Sequence, residues 1–238
     1  MRPRNEYQNR MKGLLIVAGW ATFALSIKIC ASILAEYANY FPPNFDAEFL
    51  IGRQSYFWGH YWLAFYAHII TSPIAIILGA WLMWTGRRRQ SKRWHRRLGK
   101  MQSVLIIAIV VPTGLVMSTR AINGPAAGLG FATLSIALMV SMLAAIDQAR
   151  KRNFARHKIW ATRCFLMLCS PLVLRLMTAT SLVTQTPSPL TYQISAWSSW
   201  MLPLGVFESV RYFQRRNKSG PAGESNPDLL RAKRVSSH

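Results

Sequence analysis

Long runs of apolar residues alternate along the chain with short polar and charged segments. Each run has about the 17 to 25 residues that a helix needs to cross a bilayer. The pattern therefore predicts an all-α fold, an integral membrane bundle of six transmembrane helices. The predicted spans are Gly13–Ala35, Tyr61–Trp84, Gln102–Thr119, Ala126–Ile146, Ile159–Val183 and Leu190–Val210. The sixth has the weakest signal, because polar residues from Thr191 to Ser199 form a stripe in its first half.

Composition argues against a soluble enzyme. Charged residues make up only 16% of the chain and hydrophobic residues 51%, against roughly 25% charged in an average soluble domain. The three cysteines lie in apolar stretches, where a thiol behaves as a small hydrophobic group, so no disulfide scaffold is indicated. Phosphate-binding glycine loops, nucleophile elbows and zinc-binding motifs are missing from the sequence, and whether the chain is an enzyme stays open.

The basic residues are distributed unevenly between the two sides of this topology. The formal net charge is +21, and 24 of the 29 Lys and Arg residues lie before the first span, in residues 87–100 and 150–158, or after the sixth span. The opposite loops carry only Arg53 and Arg120. By the positive-inside rule both termini are cytoplasmic, which predicts a multi-pass protein of a bacterial-type plasma membrane. Cations at span ends fit a lipid bilayer as partner and argue against nucleic acid.

The two ends of the chain carry separate predictions. A basic start, an apolar core and small residues up to Ala35 resemble a signal peptide, but Lys28 interrupts the expected cleavage region and favours a retained helix. Residues 217–238 are rich in Ser, Pro, Gly and charge, which predicts a disordered cytoplasmic tail after a transmembrane domain at residues 1–216. The oligomeric state is not indicated.

Ionisable residues inside or beside the spans are the candidate functional residues, because burying them in a bilayer is costly. They are His68, His95, Asp147, His157, Arg163, Arg175 and Glu208. His95 and His157 begin two helices that run in the same direction, so they share a depth. About 24 Å of helix separates His68 from the inner end of its span, so one metal ion cannot bind all three histidines.

The first functional hypothesis is electron transfer through haem b or a quinone. Two neutral imidazoles at matching depth, His95 and His157, have the arrangement of a bis-histidine haem site, with Arg163 and Arg175 available for its propionates. His68 would then form a second site, and a quinone or membrane redox protein would be the partner. The same two histidines are also ordinary residues for a helix end at headgroup level.

The second hypothesis is a non-redox carrier or lipid-interacting protein that uses His68 and Arg175. His68 serves in this hypothesis as a ligand, a proton-handling group or a hydrogen-bonding residue between helices. Arg175 has no acid in its own span, so its partner is Glu36, a lipid or substrate anion, or a cofactor carboxylate. An accessory subunit is the third alternative.

Arg163 has two candidate acidic partners at comparable depth, Asp147 and Glu208. Either pairing favours a structural role for these groups over a catalytic one.

The chain also resembles the predicted membrane proteins grouped as domain of unknown function 2306. The motifs that carry the resemblance are HIITSPIAIILG at His68–Gly79, H-R-x-x-G from His95, H-x-x-W-x-x-R from His157 to Arg163, L-R-L at Leu174–Leu176, and Glu208 in the last span. Gln102 and Lys158 depart from the pattern, which often has Tyr and Arg there. The resemblance implies a membrane fold and location, and it implies no particular reaction.

Overall fold

The computed structural model describes residues 34–47, 49–86 and 92–218, together with residues 24, 27, 28, 31 and 32. This described part of the chain is helical and contains no strand, which confirms the all-α prediction. Four helical stretches are long and apolar enough to cross a membrane, and they correspond to the second to fifth predicted spans. They are His60–Thr85, Arg93–Ser118, Pro125–Arg150 and Phe154–Val183.

The helices follow one another with short connections. A 3₁₀ turn lies at Tyr37–Asn39, and a π-helical segment spans Leu105–Val110. The α-helices are α1 (Gln54–Phe57), α2 (His60–Thr85), α3 (Lys92–Val104), α4 (Val111–Ser118), α5 (Pro125–Arg150), α6 (Phe154–Leu168), α7 (Ser170–Val183) and α8 (Pro189–Lys218). We call the end of the bundle where α2 ends and α3 begins the basic end.

Two predicted spans do not belong to these four. The first, Gly13–Ala35, lies largely outside the described residues, as does almost all of the predicted disordered tail, 217–238. The sixth, Leu190–Val210, is helical within α8, which packs against α5, α6 and α7. Its polar residues keep α8 from qualifying as a span by composition.

The helices at the basic end begin earlier than the apolar pattern predicts. The third span was predicted from Gln102, yet α3 begins at Lys92, so His95 lies within the helix and not before it. Likewise His157, predicted just before the fifth span, lies within α6. Arg and Lys are good helix formers whose long side chains reach the headgroup region from a helix, so a basic flank continues the span.

One hydrophobic core joins α2, the π-helical segment, α4, α5 and α6. Its fully or almost fully buried members are Ala75, Ile106, Val110, Val111, Leu138, Met142, Cys164, Met167 and Leu168. Helix α8 attaches to the start of α5, where the Trp197 indole donates to the Ala126 carbonyl over 3.0 Å. Gln193 donates to the Asn123 carbonyl over 2.6 Å in the preceding turn.

Glycine permits a close contact between α4 and α5. A Cβ atom at Gly128 would lie 2.5 Å from the Ser118 carbonyl oxygen, so only glycine fits there. Small residues let transmembrane helices approach closely, and packing of this kind drives their association in lipid. Gly128 therefore sets the separation of the two helices at this end.

An aromatic cluster covers the opposite end of the bundle. Its buried members, among them Phe57, Tyr61 and Phe65, surround Arg53, which is only 3% exposed. The Arg53 guanidinium donates to the Phe49 carbonyl over 2.6 Å, to the Tyr61 hydroxyl over 2.6 Å and to the Arg120 carbonyl over 2.7 Å. Since a buried cation needs acceptors, these contacts bind residues 49–61 to the loop after α4.

A tyrosine beside this cluster forms a hydrogen bond to α2. The Tyr37 hydroxyl donates to the Ile69 carbonyl. Burial, together with the neighbouring Tyr40, raises the pKa of Tyr37 to about 12. The hydroxyl therefore keeps its proton at physiological pH, and the contact fastens the segment before α1 to α2.

We predict that Gly128→Ala destabilises the bundle. The added methyl group must push α4 from α5, and overpacking of this kind costs about 1 to 3 kcal/mol. The measurement is the thermal denaturation midpoint in detergent. Gly205→Ala in α8 is the matched control, because a Cβ atom there meets nothing within 4 Å. An equal loss of stability in both variants would contradict the close contact.

Arg53→Ala should also lower stability, by about 2 to 4 kcal/mol, because it removes several charge-assisted hydrogen bonds at a buried position. The control is Arg120→Ala. Arg120 is exposed, contributes its backbone carbonyl to Arg53 and stacks its guanidinium over the Tyr56 ring at 4.8 Å, so its side chain can be removed at a cost below about 1 kcal/mol. Chemical denaturation in micelles compares the two, and equal losses would refute the central position of Arg53.

Candidate functional site

One face of α2 carries the small and polar residues of this helix. His68, Ser72, Ala75, Gly79 and Gly86 follow each other at steps of three, four or seven residues, which places them on the same side. This face is turned towards α3, the π-helical segment, α4 and α6, all of which pack against α2. The candidate site is built along this line of contact.

His68 makes the first polar contact across it. Its Nδ1 lies 3.0 Å from the Thr113 hydroxyl of α4. That hydroxyl donates its proton to the Ile109 carbonyl over 2.6 Å, so it accepts from Nδ1–H of His68. The ring therefore keeps Nε2 as a proton acceptor. A Cβ atom at Gly114 would lie 3.4 Å from Cε1 of His68 and 2.9 Å from the Ser135 hydroxyl, so the imidazole is packed between three helices.

A local distortion of the helix creates the position of Thr113. Pro112 lacks a backbone N–H and its ring crowds the preceding turn, and the π-helical segment Leu105–Val110 comes just before it. The Thr113 hydroxyl bonds the Ile109 carbonyl and lies 3.2 Å from the Val110 carbonyl. The Thr113 side chain thereby bonds back to the main chain of the distorted segment, and its oxygen also contacts His68 of α2.

Gln102 makes the second contact, from α3. It is buried, and its Nε2 donates to the Ala75 carbonyl of α2 over 2.9 Å. A Cβ atom at Gly79 would lie 3.4 Å from the same nitrogen and 3.0 Å from the ring of Phe165 in α6. Gln102 reaches the main chain of α2 because Gly79 has no side chain.

His95 makes the third contact, and all three fall in one antiparallel register. A Cβ atom at Gly86 would lie 3.3 Å from Cε1 of His95. The His95–Gly86 contact lies seven residues from the Gln102–Gly79 contact along each segment of the pair: from 102 back to 95 on one side and from 79 on to 86 on α2. The Thr113–His68 contact lies eleven residues from the Gln102–Gly79 contact in the other direction, from 102 on to 113 and from 79 back to 68. We call His68, Ser72, Gln102, Thr113 and His95 the polar interface.

His157 continues the polar interface at the basic end. Asn153 caps α6 by accepting from the Arg156 backbone over 3.1 Å, which places His157 one turn into the helix. Its Nδ1 lies 2.8 Å from the Ala145 carbonyl of α5, so Nδ1 carries the proton and Nε2 is an acceptor. His157 in α6 and His95 in α3 both lie at the basic end, near enough for an electrostatic effect of one on the other. His68 lies at another depth.

Three buried atoms of the polar interface lack a hydrogen-bond partner in the described part of the chain. They are Ser72 Oγ, Gln102 Oε1 and His95 Nδ1. A buried polar atom without a partner costs about 1 to 3 kcal/mol, more than a packed apolar substitute would. Native structures contain few of these atoms, so three along one helix contact make this contact a candidate site for polar chemistry.

The charged candidates lie elsewhere. Arg163 donates from Nε to Glu208 over 2.7 Å, which decides between its two predicted partners. Asp147 instead forms an exposed ion pair with Lys151 at 2.9 Å. Arg175 is half-buried on α7, and its guanidinium has no polar partner among the residues that the structure describes. Helix α7, which carries Arg175, packs on α6 and α8, whereas His68 lies on α2.

Sequence reasoning missed several of these residues. Thr113 was not predicted as a site residue, and Ser72 entered only as part of the His68–Gly79 motif, because hydroxyls are common in transmembrane helices. Gln102 was noticed only as a departure from a family pattern, and Arg53 only as one of two cations on the less basic side. The detectable signal was the spacing of small and polar residues on α2, which repeats at three and four positions from His68 to Gly86.

Comparison with known proteins identifies the family. The family model "Predicted membrane protein (DUF2306)" matches residues 65–210, which include α4 to α7 and the whole polar interface. This match covers well over half of the chain, so the protein belongs to this family. No curated protein and no solved structure gives a match.

Proposed function

We propose that this member of the DUF2306 membrane protein family is a non-redox carrier that conducts protons along its polar interface, with His68 as the proton-handling group. The observation that carries the proposal is the row of buried polar atoms between α2 and α3, three of them without partners. Polar and ionisable groups within a bilayer mark ion and proton pathways, because their burial has a high free-energy cost.

The hydrogen bonds of His68 give it two distinct nitrogens. Nδ1–H is held by Thr113, and Nε2 is an acceptor. An imidazole that takes a proton at Nε2 and releases one from Nδ1 passes a proton onward and then resets by exchanging tautomers. Thr113 holds Nδ1–H in place but donates its own proton to the Ile109 carbonyl, so the proton that His68 releases goes to water in the route or to the unpartnered Ser72 hydroxyl one turn away on α2, which gives up its own proton in turn.

The remaining polar groups extend this route towards the basic end. Gln102 lies at the level of Ala75 and Gly79, and its unpartnered Oε1 is an acceptor. Beyond it, His95 and His157 interact electrostatically at the basic end. Phe165 packs against Gly79 between these groups, so the route narrows at this ring. Rotation of one aromatic side chain is the smallest motion that would join the two halves.

We also propose the topology that the charge pattern predicts. In it, Gly13–Ala35 and α8 complete a six-span bundle in a bacterial-type plasma membrane, with both termini and the basic end in the cytoplasm. His68 then lies towards the outer side and His95 with His157 on the cytoplasmic side. The route therefore runs from His68, in the outer half of the bilayer, to His95 and His157 at the cytoplasmic side.

His68→Gln should lower proton conductance at least about tenfold, because the relay loses its titratable member. The assay is acidification of liposomes that contain the purified full-length chain and a pH-sensitive dye, driven by a potassium diffusion potential. His60→Gln is the control, since His60 is exposed at the start of the same helix. Equal conductance in wild type and His68→Gln would contradict the proposal.

A second variant separates conduction from structure. Ser72→Ala deletes a hydroxyl that makes no hydrogen bond, so stability should stay within about 0.5 kcal/mol or rise. Conductance should nevertheless fall, because the polar group beside His68 is lost. Proton conductance of Ser72→Ala equal to that of the wild type would show that Ser72 contributes to packing and not to conduction.

Electron transfer through haem is the second candidate function. One observation favours it: His157 donates Nδ1–H to a backbone carbonyl, which leaves Nε2 free in the orientation that metal-binding histidines adopt. His95 lies at the same end of the bundle, and no group of three or more His, Cys, Asp and Glu residues suited to a metal ion occurs in the described ranges. This candidate therefore takes the form of a bis-histidine haem held by His95 and His157.

An absorption spectrum distinguishes the two functions. Protein purified from haem-replete cells should be colourless and should conduct protons when reconstituted. A reduced-minus-oxidised α band at near-stoichiometric haem, lost in His157→Gln and kept in His60→Gln, would instead support electron transfer.

A further inference from the structure

A recess between α6 and α8 lies outside the polar interface. It has a volume of about 140 Å³ and is lined by Ile159, Arg211, Gln214 and Arg215. Ile159 lies near the start of α6 and Arg215 near the end of α8, so the recess is at the basic end of the bundle. At this depth a membrane helix meets lipid headgroups.

Arg211 of the recess belongs to a charge cluster with Arg163 and Glu208, which lie beside the recess, and this cluster has an excess of positive charge. Arg163 and Arg211 share one carboxylate: Arg163 Nε is 2.7 Å from Oε1 of Glu208, and Arg211 Nη1 is 2.8 Å from Oε2. Two guanidinium groups against one carboxylate leave one positive charge uncompensated. Each guanidinium has five N–H donors, so this pairing uses only a part of them.

Packing holds both guanidinium groups in place. The carbon centre of Arg163 lies 4.2 Å from the ring centre of Trp160, and that of Arg211 lies 5.4 Å from the ring centre of Phe207. The two side chains are only 22% and 15% exposed. Arginines that are held by stacking and by a carboxylate lose little conformational entropy on binding an anion.

We propose that this recess binds a phosphate group, that of an anionic phospholipid or of a soluble phosphate ester, through Arg211 with Arg163 behind it. Glu208 orients the two guanidinium groups, and Ile159 supplies an apolar wall for the carbon atoms next to the phosphate. The planar, forked donors of arginine match phosphate oxygens in pairs. The site is separate from the polar interface, so its test does not depend on proton conductance.

The test compares lipid binding to the purified full-length chain by native mass spectrometry. Wild-type protein in detergent with equimolar phosphatidylglycerol and phosphatidylcholine should retain the anionic lipid at least about fivefold better, since one cation near the surface contributes about 1 kcal/mol. Arg211→Gln should lose this preference. Lys158→Gln should keep it, because Lys158 is an exposed cation at the same end that does not line the recess.

Soluble phosphate esters distinguish the two sources of the phosphate group. Displacement of bound phosphatidylglycerol by millimolar glycerol 1-phosphate, but not by glycerol, would show that the phosphate alone suffices. Retention of the lipid would show that its acyl chains are also required. Either result supports the site, provided that Arg211→Gln abolishes the preferential retention of phosphatidylglycerol. The proposal is overturned if wild type shows no preference, or if Lys158→Gln loses as much as Arg211→Gln.

A neutral variant provides for the case in which Arg211→Gln does not fold. Ile159→Trp fills the recess and leaves every charge in place. It should lower retention of phosphatidylglycerol to the level of phosphatidylcholine. Unchanged retention in this variant would place the lipid elsewhere and overturn the proposal.

Discussion

Three glycines let α2 pack tightly against α3 and α4, because Gly79, Gly86 and Gly114 present no side chain where a partner residue arrives. Helices in a bilayer gain little from burying apolar surface against each other, since lipid is as apolar as they are. Their association therefore rests on close packing and on hydrogen bonds such as that from Gln102 to the Ala75 carbonyl. This close contact also creates the space in which polar side chains meet.

The polar interface has a free-energy cost that packing elsewhere must offset. An unpartnered hydroxyl, amide oxygen and imidazole nitrogen cost about 1 to 3 kcal/mol each. The apolar core between α2, the π-helical segment, α5 and α6 lies beside them and supplies dispersion contacts. The aromatic cluster around Arg53 fixes one end of α2. These two regions hold the bundle in place, which allows the interface to stay polar.

The fold was predictable from hydropathy because the bilayer imposes helices of nearly fixed length. Residues 61–84 illustrate this, since the observed helix extends them by one residue at each end. The start of α3 was not predictable in the same way. Its basic side chains interact with water and lipid headgroups while the backbone remains helical, so the helix begins before the apolar run does. Charge sorting at least indicated which ends of the helices lie together.

The candidate site was only partly predictable. Equal depth predicted that His95 and His157 lie at the same end of the bundle, where α3 and α6 begin, and one of two proposed partners of Arg163 was found. Depth alone, however, does not give the direction in which a side chain points, so the surroundings of Arg175 were not predictable. The contact of His68 with Thr113 depends on a π-helical distortion that hydropathy does not report.

Proton conduction requires that the interface of α2 with α3 and α4 is accessible to water and protons within the bilayer. Solid-state NMR of the histidine- and glutamine-labelled chain in lipid, with magnetisation transferred from water, tests it directly. Transfer to the His68 ring and the Gln102 side chain, comparable with that to exposed His60, is the predicted result. No transfer to His68 and Gln102 while His60 responds would mean a dry interface, and the account of proton conduction would be wrong.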